Sequence, residues 1–218
     1  ERLRQIVDLR KQKPELKVLL SIGGWGSGRF SEMAANDEYR RAFAADCDRV
    51  VKEFALDGID IDWEYPTSSM ANISSSPDDT ENFTLLMQDI RAAIGNEKEL
   101  TLATVASARY IDFKAILPSV DFVNIMAYDM ASAPKHHSAL YPSGHSGDIT
   151  SDGAVTAHLK AGVPPSKLVM GMPFYGRGGD GYPSFQDYNK VGNTDTQYTE
   201  KWDEVAQVPY LADKNDTL

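Results

Sequence analysis

Asp60, Asp62 and Glu64 stand two residues apart in the stretch Asp57-Gly58-Ile59-Asp60-Ile61-Asp62-Trp63-Glu64-Tyr65-Pro66. Strand side chains alternate faces, so a strand here puts the three acids on one side and Ile59, Ile61 and Trp63 on the other. The apolar set can pack against helices, while the acids crowd one face of a strand type that is normally apolar on both. Like charge and desolvation both favour protonation, so at least one carboxyl should keep its proton near neutral pH. A raised carboxyl pKa is what a general acid requires. Two other readings compete: a solvated acidic edge, and a site for a hard cation. An edge strand is not expected to set Ile, Ile and Trp opposite a row of acids. The metal reading finds no matching His on another strand, since His136, His137 and His145 share one loop with Ser, Pro and Gly, and His158 falls on a helix. Catalytic acids are the preferred reading, with no metal and no cofactor called for.

The elements that must position these acids alternate between strand and helix. Strands are expected over 17–22, 57–65, 100–106, 120–128 and 167–175. Helices are expected over 37–54, 80–94 and 152–161, with a short helical turn over 112–117. In the first helix Tyr39, Phe43, Cys47, Val50, Val51 and Phe54 recur at spacings of three and four, and in the second Phe83, Leu86, Met87, Ile90 and Ala93 point inward. Gly95 and Gly162 are placed to close the second and third helices. Residues 66–79 are rich in Ser, Pro and Asn and read as a loop leaving the acidic strand. The alternation implies an α/β fold with a parallel sheet, doubly wound or closed into a (β/α)8 barrel, and periodicity alone does not choose. No strand is followed by a nucleotide-binding Gly-x-Gly-x-x-Gly, and no internal repeat marks a solenoid. Opening on a helix (Leu3, Ile6, Val7, Arg10) and closing on a polar turn over 213–218, the chain is expected to be one domain truncated at both ends, with 176–218 an excursion after the last visible strand.

Composition narrows the partner. The 218 residues carry a formal net charge of −10, which argues against a polyanionic ligand such as nucleic acid and suits a neutral one. No apolar run approaches the length of a membrane span, and no apolar segment of signal-peptide type opens the chain. The single cysteine, Cys47, excludes an intrachain disulfide and reads as a small buried thiol on a helix stripe. Sequons at Asn72, Asn82 and Asn215 fit a secreted protein but carry little weight.

A second row lies on the strand over 120–128, where Phe122, Asn124, Met126 and Tyr128 share a face and Val123, Ile125 and Ala127 share the other. An inward Asn-x-Met-x-Tyr row is odd for a barrel interior, which favours Val, Ile and Leu. From the residues alone, a pocket and an ordinary core are equally good accounts of it. Ser21 has two readings, a hydrogen bond to Asp60 or a strand end, and the first is preferred. Trp25, Tyr175 and Arg177 read as sugar contacts or as packing. Trp63 and Tyr65 read as structural, and Asp57 as a residue that orients the turn with Gly58.

The acidic stretch resembles the Asp-x-x-Asp-x-Asp-x-Glu signature of glycoside hydrolase family 18, the chitinase family, at Asp57, Asp60, Asp62 and Glu64. Ser21-Ile22-Gly23-Gly24-Trp25 resembles that family's third strand, Asn124-Ile125-Met126-Ala127-Tyr128-Asp129 its sixth, and Gly171-Met172-Pro173-Phe174-Tyr175-Gly176-Arg177 its seventh. The resemblance covers nearly the whole chain and implies a (β/α)8 barrel of the chitinase type represented by strands three to seven. It implies hydrolysis of β-1,4-linked N-acetylglucosamine polymers, chitin or its oligosaccharides, with the substrate's N-acetyl oxygen as nucleophile. Glu64 would then be the acid/base, Asp62 would stabilise the developing positive charge, and Asp60 would share a proton with Asp62. Tyr128 would hold the acetamido oxygen, Met126 shape the pocket and Asp129 bind substrate. The family's eighth strand supplies a Trp at the floor of the sugar site, and Trp202 is not at that position. A non-catalytic chitin-binding lectin, or a relative acting on N-glycans or peptidoglycan, are the alternative functions. A monomer acting outside the cell is the expectation that goes with an insoluble polymer.

Overall fold

The structure is a computed structural model that describes residues 1–178, 185–186 and 198–212. Five strands, β1 (Leu19–Gly23), β2 (Gly58–Asp62), β3 (Glu99–Val105), β4 (Phe122–Met126) and β5 (Leu168–Met170), form one sheet in the order β1-β2-β3-β4-β5. The pairings of β1 with β2 and of β2 with β3 are parallel. Helices α1 (Arg2–Val7), α2 (Phe30–Ala35), α3 (Asp37–Phe54), α4 (Asp79–Ile94), α5 (Phe113–Ile116) and α6 (Ser151–Lys160) alternate with them along the chain. Spatial order equals sequence order, with no reversal. A doubly wound sheet reverses its strand order at a switch point, so this sheet is singly wound, as a barrel wall is. The strands β2, β4 and β5 are each shorter than their sequence patterns: β2 ends at Asp62, β4 spans only Phe122–Met126 and β5 ends at Met170.

The described chain divides into two compact units, one of Glu1–Thr104, Arg109–Asn124 and Ala161–Leu168, the other of Val105–Ala108, Ile125–Lys160 and Val169–Leu218. In the first, α3 packs on α4, and α2 packs on both. Phe83, Leu86, Met87 and Ile90 of α4 are at most 1% exposed, as their spacing predicts. On α3 the buried stripe is Arg40, Ala44, Cys47 and Val51, and Tyr39, expected inward, is 57% exposed. Arg40 takes the inward place because its guanidinium is satisfied there: Nε donates to Asp89 of α4 at 3.0 Å, Nη1 to the Ala34 carbonyl at 2.9 Å and Nη2 to Asp37 at 3.0 Å. A buried cation is tolerable only when paired and hydrogen bonded in this way. Burial raises the Cys47 thiol to about 12, in keeping with an inert core thiol. Gly95 ends α4 with φ of 75°.

Asp57 ties the base of the acidic strand to its surroundings. It pairs with Arg10 and accepts from the Val18 amide at 2.5 Å, while Arg10 also donates to the Leu16 and Ala55 carbonyls. Two glycines let neighbouring strands close on β2. A Cβ at Gly58 would lie 2.0 Å from the Glu99 carbonyl oxygen, and one at Gly23 would lie 1.9 Å from that of Asp62.

In the second unit, α6 buries His158, whose Nδ1 contacts the Ala154 carbonyl at 2.8 Å, and burial lowers its pKa. An antiparallel hairpin of β8 (Thr199–Asp203) and β9 (Val208–Ala212) joins the 136–152 segment through the Ala206 carbonyl, which accepts from Leu140 and Tyr141 at 2.9 and 3.1 Å. Asp203 receives the Val205 and Ala206 amides at 2.8 Å each and lies 3.0 Å from His136 Nε2. Two short strands, β6 (Gly176–Arg177) and β7 (Phe185–Gln186), pair within the segment expected as an excursion. Trp202, on β8, is 48% exposed. The sequon at Asn215 and the polar turn over 213–218 lie outside the described residues.

Candidate active site

The parity of the acidic strand is set from its apolar side. Ile59 and Ile61 are fully buried and Trp63 is 2% exposed, its ring stacked on Phe30 at 5.4 Å and edge-on to Phe83 at 5.5 Å. A one-residue slip would expose all three, so the opposite face is committed to Asp60, Asp62 and Glu64, each half-buried.

Asp60 lies at the centre of a polar row that crosses the strands. The ladder pairs Ser21 with Asp60 and Asp60 with Thr101. Ser21 Oγ donates to Asp60 Oδ2 at 2.7 Å, and Thr101 Oγ1 and Asn124 Nδ2 donate to Oδ1 at 2.6 and 3.1 Å. The Ser21 contact matches the preferred reading of its sequence position. Thr101 and Asn124 were not anticipated as partners of Asp60. Their signal in the sequence is a polar residue at an interior position of an otherwise apolar parallel strand.

Asp62 is held differently. Its Oδ1 is buried and has no hydrogen-bond partner among the described residues. Burial, with Glu64 and Asp60 as neighbouring carboxylates, raises its pKa to about 7. Crowding of these acids thus raises a carboxyl toward neutral pH, as the sequence pattern predicts, and Asp62 is one that it raises. The Asp62 carbonyl accepts from the Gly24 amide at 2.8 Å, so the Gly23-Gly24 turn clasps the strand end on which this side chain stands.

Glu64 follows just beyond the ladder, and its chain neighbour Tyr65 lies among aromatic rings. Tyr65 stacks on Tyr110 at 5.4 Å and meets the edge of Trp25 at 6.4 Å, and Trp25 itself is 58% exposed. The loop over 66–78 is anchored by Asp79, fully buried at the start of α4. Its carboxylate accepts from Ser31 Oγ at 2.7 Å and from the Thr67 and Ser76 amides at 3.1 and 2.8 Å. The chain that leaves Glu64 is thus fixed to α2 and α4, a role the polar composition of the loop did not signal.

The second unit carries its own polar cluster at the end of β4. Val123, Ile125 and Ala127 are buried, and Asn124, Met126 and Tyr128 are half-buried on the other face, as parity requires. Asp129 follows with a left-handed φ of 53°. Arg177 grips the Asp129 carboxylate with two nitrogens, Nε at 2.6 Å and Nη2 on the second oxygen. The Asp129 amide donates to His137 Nδ1 at 3.2 Å. Burial works against ionisation of Asp129, but its side-chain contacts with His137 and Arg177 outweigh it and hold the carboxyl well below its usual range. Tyr175 lies between the His137 ring at 5.3 Å and the Arg177 guanidinium at 5.7 Å, with Tyr128 edge-on at 6.2 Å. Gly171 makes room for the Tyr128 ring, since a Cβ there would come within 2.8 Å of it. His137 is the member that sequence reasoning left among loop histidines.

Among the described residues no group of three or more His, Cys, Asp or Glu side chains is placed to hold a metal ion. Among the described residues no helix is long and apolar enough to cross a membrane.

Comparison with known proteins agrees with these features. Over residues 1–218 the chain matches the family described as Glycosyl hydrolases family 18. Chitinase A1 of Niallia circulans is 34% identical over 96% of this chain, which spans 37% of that relative's length. The solved chitinase domain of the spore coat protein CotE from Clostridium difficile superposes with a TM-score of 0.83 at 38% identity, covering 99% of this chain and 66% of that one. A solved family 18 N-acetylglucosaminidase from Paenibacillus barengoltzii gives a TM-score of 0.89 at 34% identity, covering 100% of this chain and 73% of that one. The five-stranded parallel sheet is thus an incomplete α/β barrel of the chitinase type. With the signature acids on β2 and just beyond it, and the family matched from end to end, this chain belongs to glycosyl hydrolase family 18.

Proposed function

We propose that this chain is the catalytic region of a chitinase-type glycosidase that cleaves β-1,4-linked N-acetylglucosamine polymers by retaining, substrate-assisted catalysis. The observation that carries this reading is Asp62, a carboxyl whose pKa burial and its acidic neighbours Glu64 and Asp60 raise to about 7. The names of the relatives supply chitin as the substrate class.

In the proposed reaction Glu64 gives its proton to the glycosidic oxygen as the acetamido carbonyl oxygen of the substrate attacks the anomeric carbon. The C–O bond to the leaving sugar breaks, and a cyclic oxazolinium ion forms. Asp62 turns to the acetamido N–H, where its carboxylate stabilises the positive charge as it develops. Asp60, fixed by Ser21, Thr101 and Asn124, is the neighbour against which Asp62 exchanges its proton. Water then adds to the anomeric carbon, Glu64 takes up its proton, and the acetamido group is restored with net retention. Tyr128 holds the acetamido oxygen, Met126 shapes the pocket, and Trp25, Asp129, Tyr175 and Arg177 contact sugar. A polymeric substrate places the enzyme outside the cell. A sugar-binding lectin would need no acid at the position of Glu64, and its presence favours hydrolysis.

The test is release of aryl chitobioside product by the purified chain. The wild type should turn over, and Glu64→Gln should lose at least about a thousandfold in kcat while retaining oligosaccharide binding. A Glu64→Gln variant that keeps most of the rate removes Glu64 from the role of acid.

A further inference from the structure

His136 and His137, which the metal reading set aside, are tied to different parts of the second unit. His136 is buried, its amide donates to the His145 carbonyl at 2.7 Å, and its Nε2 lies 3.0 Å from Asp203 Oδ2 on β8. The next residue meets two successive amides beyond the end of β4. The Asp129 amide donates to His137 Nδ1 at 3.2 Å, and the Met130 amide donates to the His137 carbonyl at 2.9 Å. Asp129 has a left-handed φ of 53°, a conformation that a residue bearing a side chain keeps only where its surroundings impose it. The His137 ring is itself placed by stacking on Tyr175, with 5.3 Å between centroids and 26° between planes, and its side chain is 11% exposed.

We infer that His137 is a positioning residue for Asp129: its unprotonated Nδ1 and its carbonyl oxygen take the Asp129 and Met130 amides and set the turn that presents the Asp129 carboxylate to substrate. This rests on the reading of Asp129 as a sugar contact and deepens it. A ring nitrogen that accepts from an amide carries no proton, so the proton of the neutral imidazole is on Nε2. The same Nδ1 lies 3.4 Å from Asp129 Oδ1. It therefore faces a donor and an acceptor of one residue, and its protonation state chooses between them. Unprotonated, it takes the amide and leaves the carboxylate to Arg177, which donates to Oδ1 from Nε at 2.6 Å and to Oδ2 from Nη2. Asp129 and Tyr175 both meet the His137 ring, and Arg177 meets both of them. A side chain that must contact a ligand needs this kind of support, because a small backbone displacement is enough to lose the contact.

Two variants separate the acceptor from the ring. His137→Phe keeps a ring against Tyr175 and deletes the acceptor, whereas His137→Asn gives up the ring and returns an acceptor, its Oδ1 taking the place of Nδ1. On a chito-oligosaccharide, His137→Phe should lower kcat/KM about tenfold, mostly through KM, while His137→Asn stays within about threefold of the wild type. A ring that serves only to pack gives the opposite order. The activity-independent arm uses 15N-labelled protein. In the wild type, His137 Nδ1 should resonate as an unprotonated acceptor and show a scalar coupling across the hydrogen bond to the Asp129 amide nitrogen. Exchange of the Asp129 amide should be slow in the wild type and in His137→Asn, and at least about tenfold faster in His137→Phe. A protonated Nδ1 in mildly alkaline buffer, an unchanged Asp129 exchange rate in His137→Phe, or a lower kcat/KM for His137→Asn than for His137→Phe overturns the inference. If His137→Phe does not fold, the wild-type nitrogen spectrum and Asp129 exchange in His137→Asn decide. If the wild type shows no Glu64-dependent turnover, the glycosidase reading fails instead, and the spectrum and exchange rates still decide whether His137 fixes Asp129.

Discussion

Asp62 stands between Asp60 and Glu64 on one strand face, and Asp60 takes donors from three other strands. The consequence for stability can be signed. In the unfolded chain the Asp62 carboxyl has its ordinary value near 3.8, and in the fold it titrates at about 7. Between those values the folded state holds a proton that the unfolded state has released, so stability falls as pH rises through that window and is lowest above it. Asp62→Asn should remove this slope. It should be more stable than the wild type by about 1 kcal/mol at pH 8, with little difference near pH 4, while losing activity. Parallel urea melts at the two pH values check this, and equal gains at both would mean that Asp62 is not the proton-bearing acid. The presence of a crowded, protonated carboxyl was legible in the spacing of Asp60, Asp62 and Glu64. Its identity was not, because it depends on which acid the neighbouring strands supply with donors.

At the scale of elements, the strand end that carries Asp62 is shaped by its neighbour. Gly23 has φ of 129°, and a Cβ there would meet the Asp62 carbonyl oxygen at 1.9 Å. Gly23→Ala should therefore cost about 1–3 kcal/mol, read from the urea midpoint, and lower kcat through displacement of Asp62. A variant as stable and active as the wild type would show that the close approach of β1 to β2 is dispensable. Element types and most inward faces were legible: the α4 stripe is buried as its period predicts, and Gly95 stops that helix. Arg40 was not legible. A periodicity count treats Arg as outward and Tyr39 as inward, and the reverse arrangement is stable because Asp89 of α4, the Ala34 carbonyl of α2 and Asp37 together satisfy the guanidinium.

For the molecule as a whole, the net charge of −10 argues against a polyanionic ligand and suits either the neutral one proposed here or simple solubility. On a neutral chito-oligosaccharide, kcat/KM should vary less than about twofold between roughly 0.05 and 0.5 M NaCl, because no long-range attraction assists encounter. A steep loss with salt would point instead to a cationic substrate. The sequence by itself determined the alternation of strand and helix, the face on which the acids lie, and the family, since all three follow from local periodicity and a contiguous motif. The tertiary structure decided the rest. Strand order chose a singly wound sheet over a doubly wound one, and register brought Ser21, Thr101 and Asn124 onto Asp60. The close pairing of Asp129 with Arg177 likewise joins residues far apart in the chain. Alternation is written into each strand by its own backbone, whereas donors, burial and proton affinity arise only where separate strands meet.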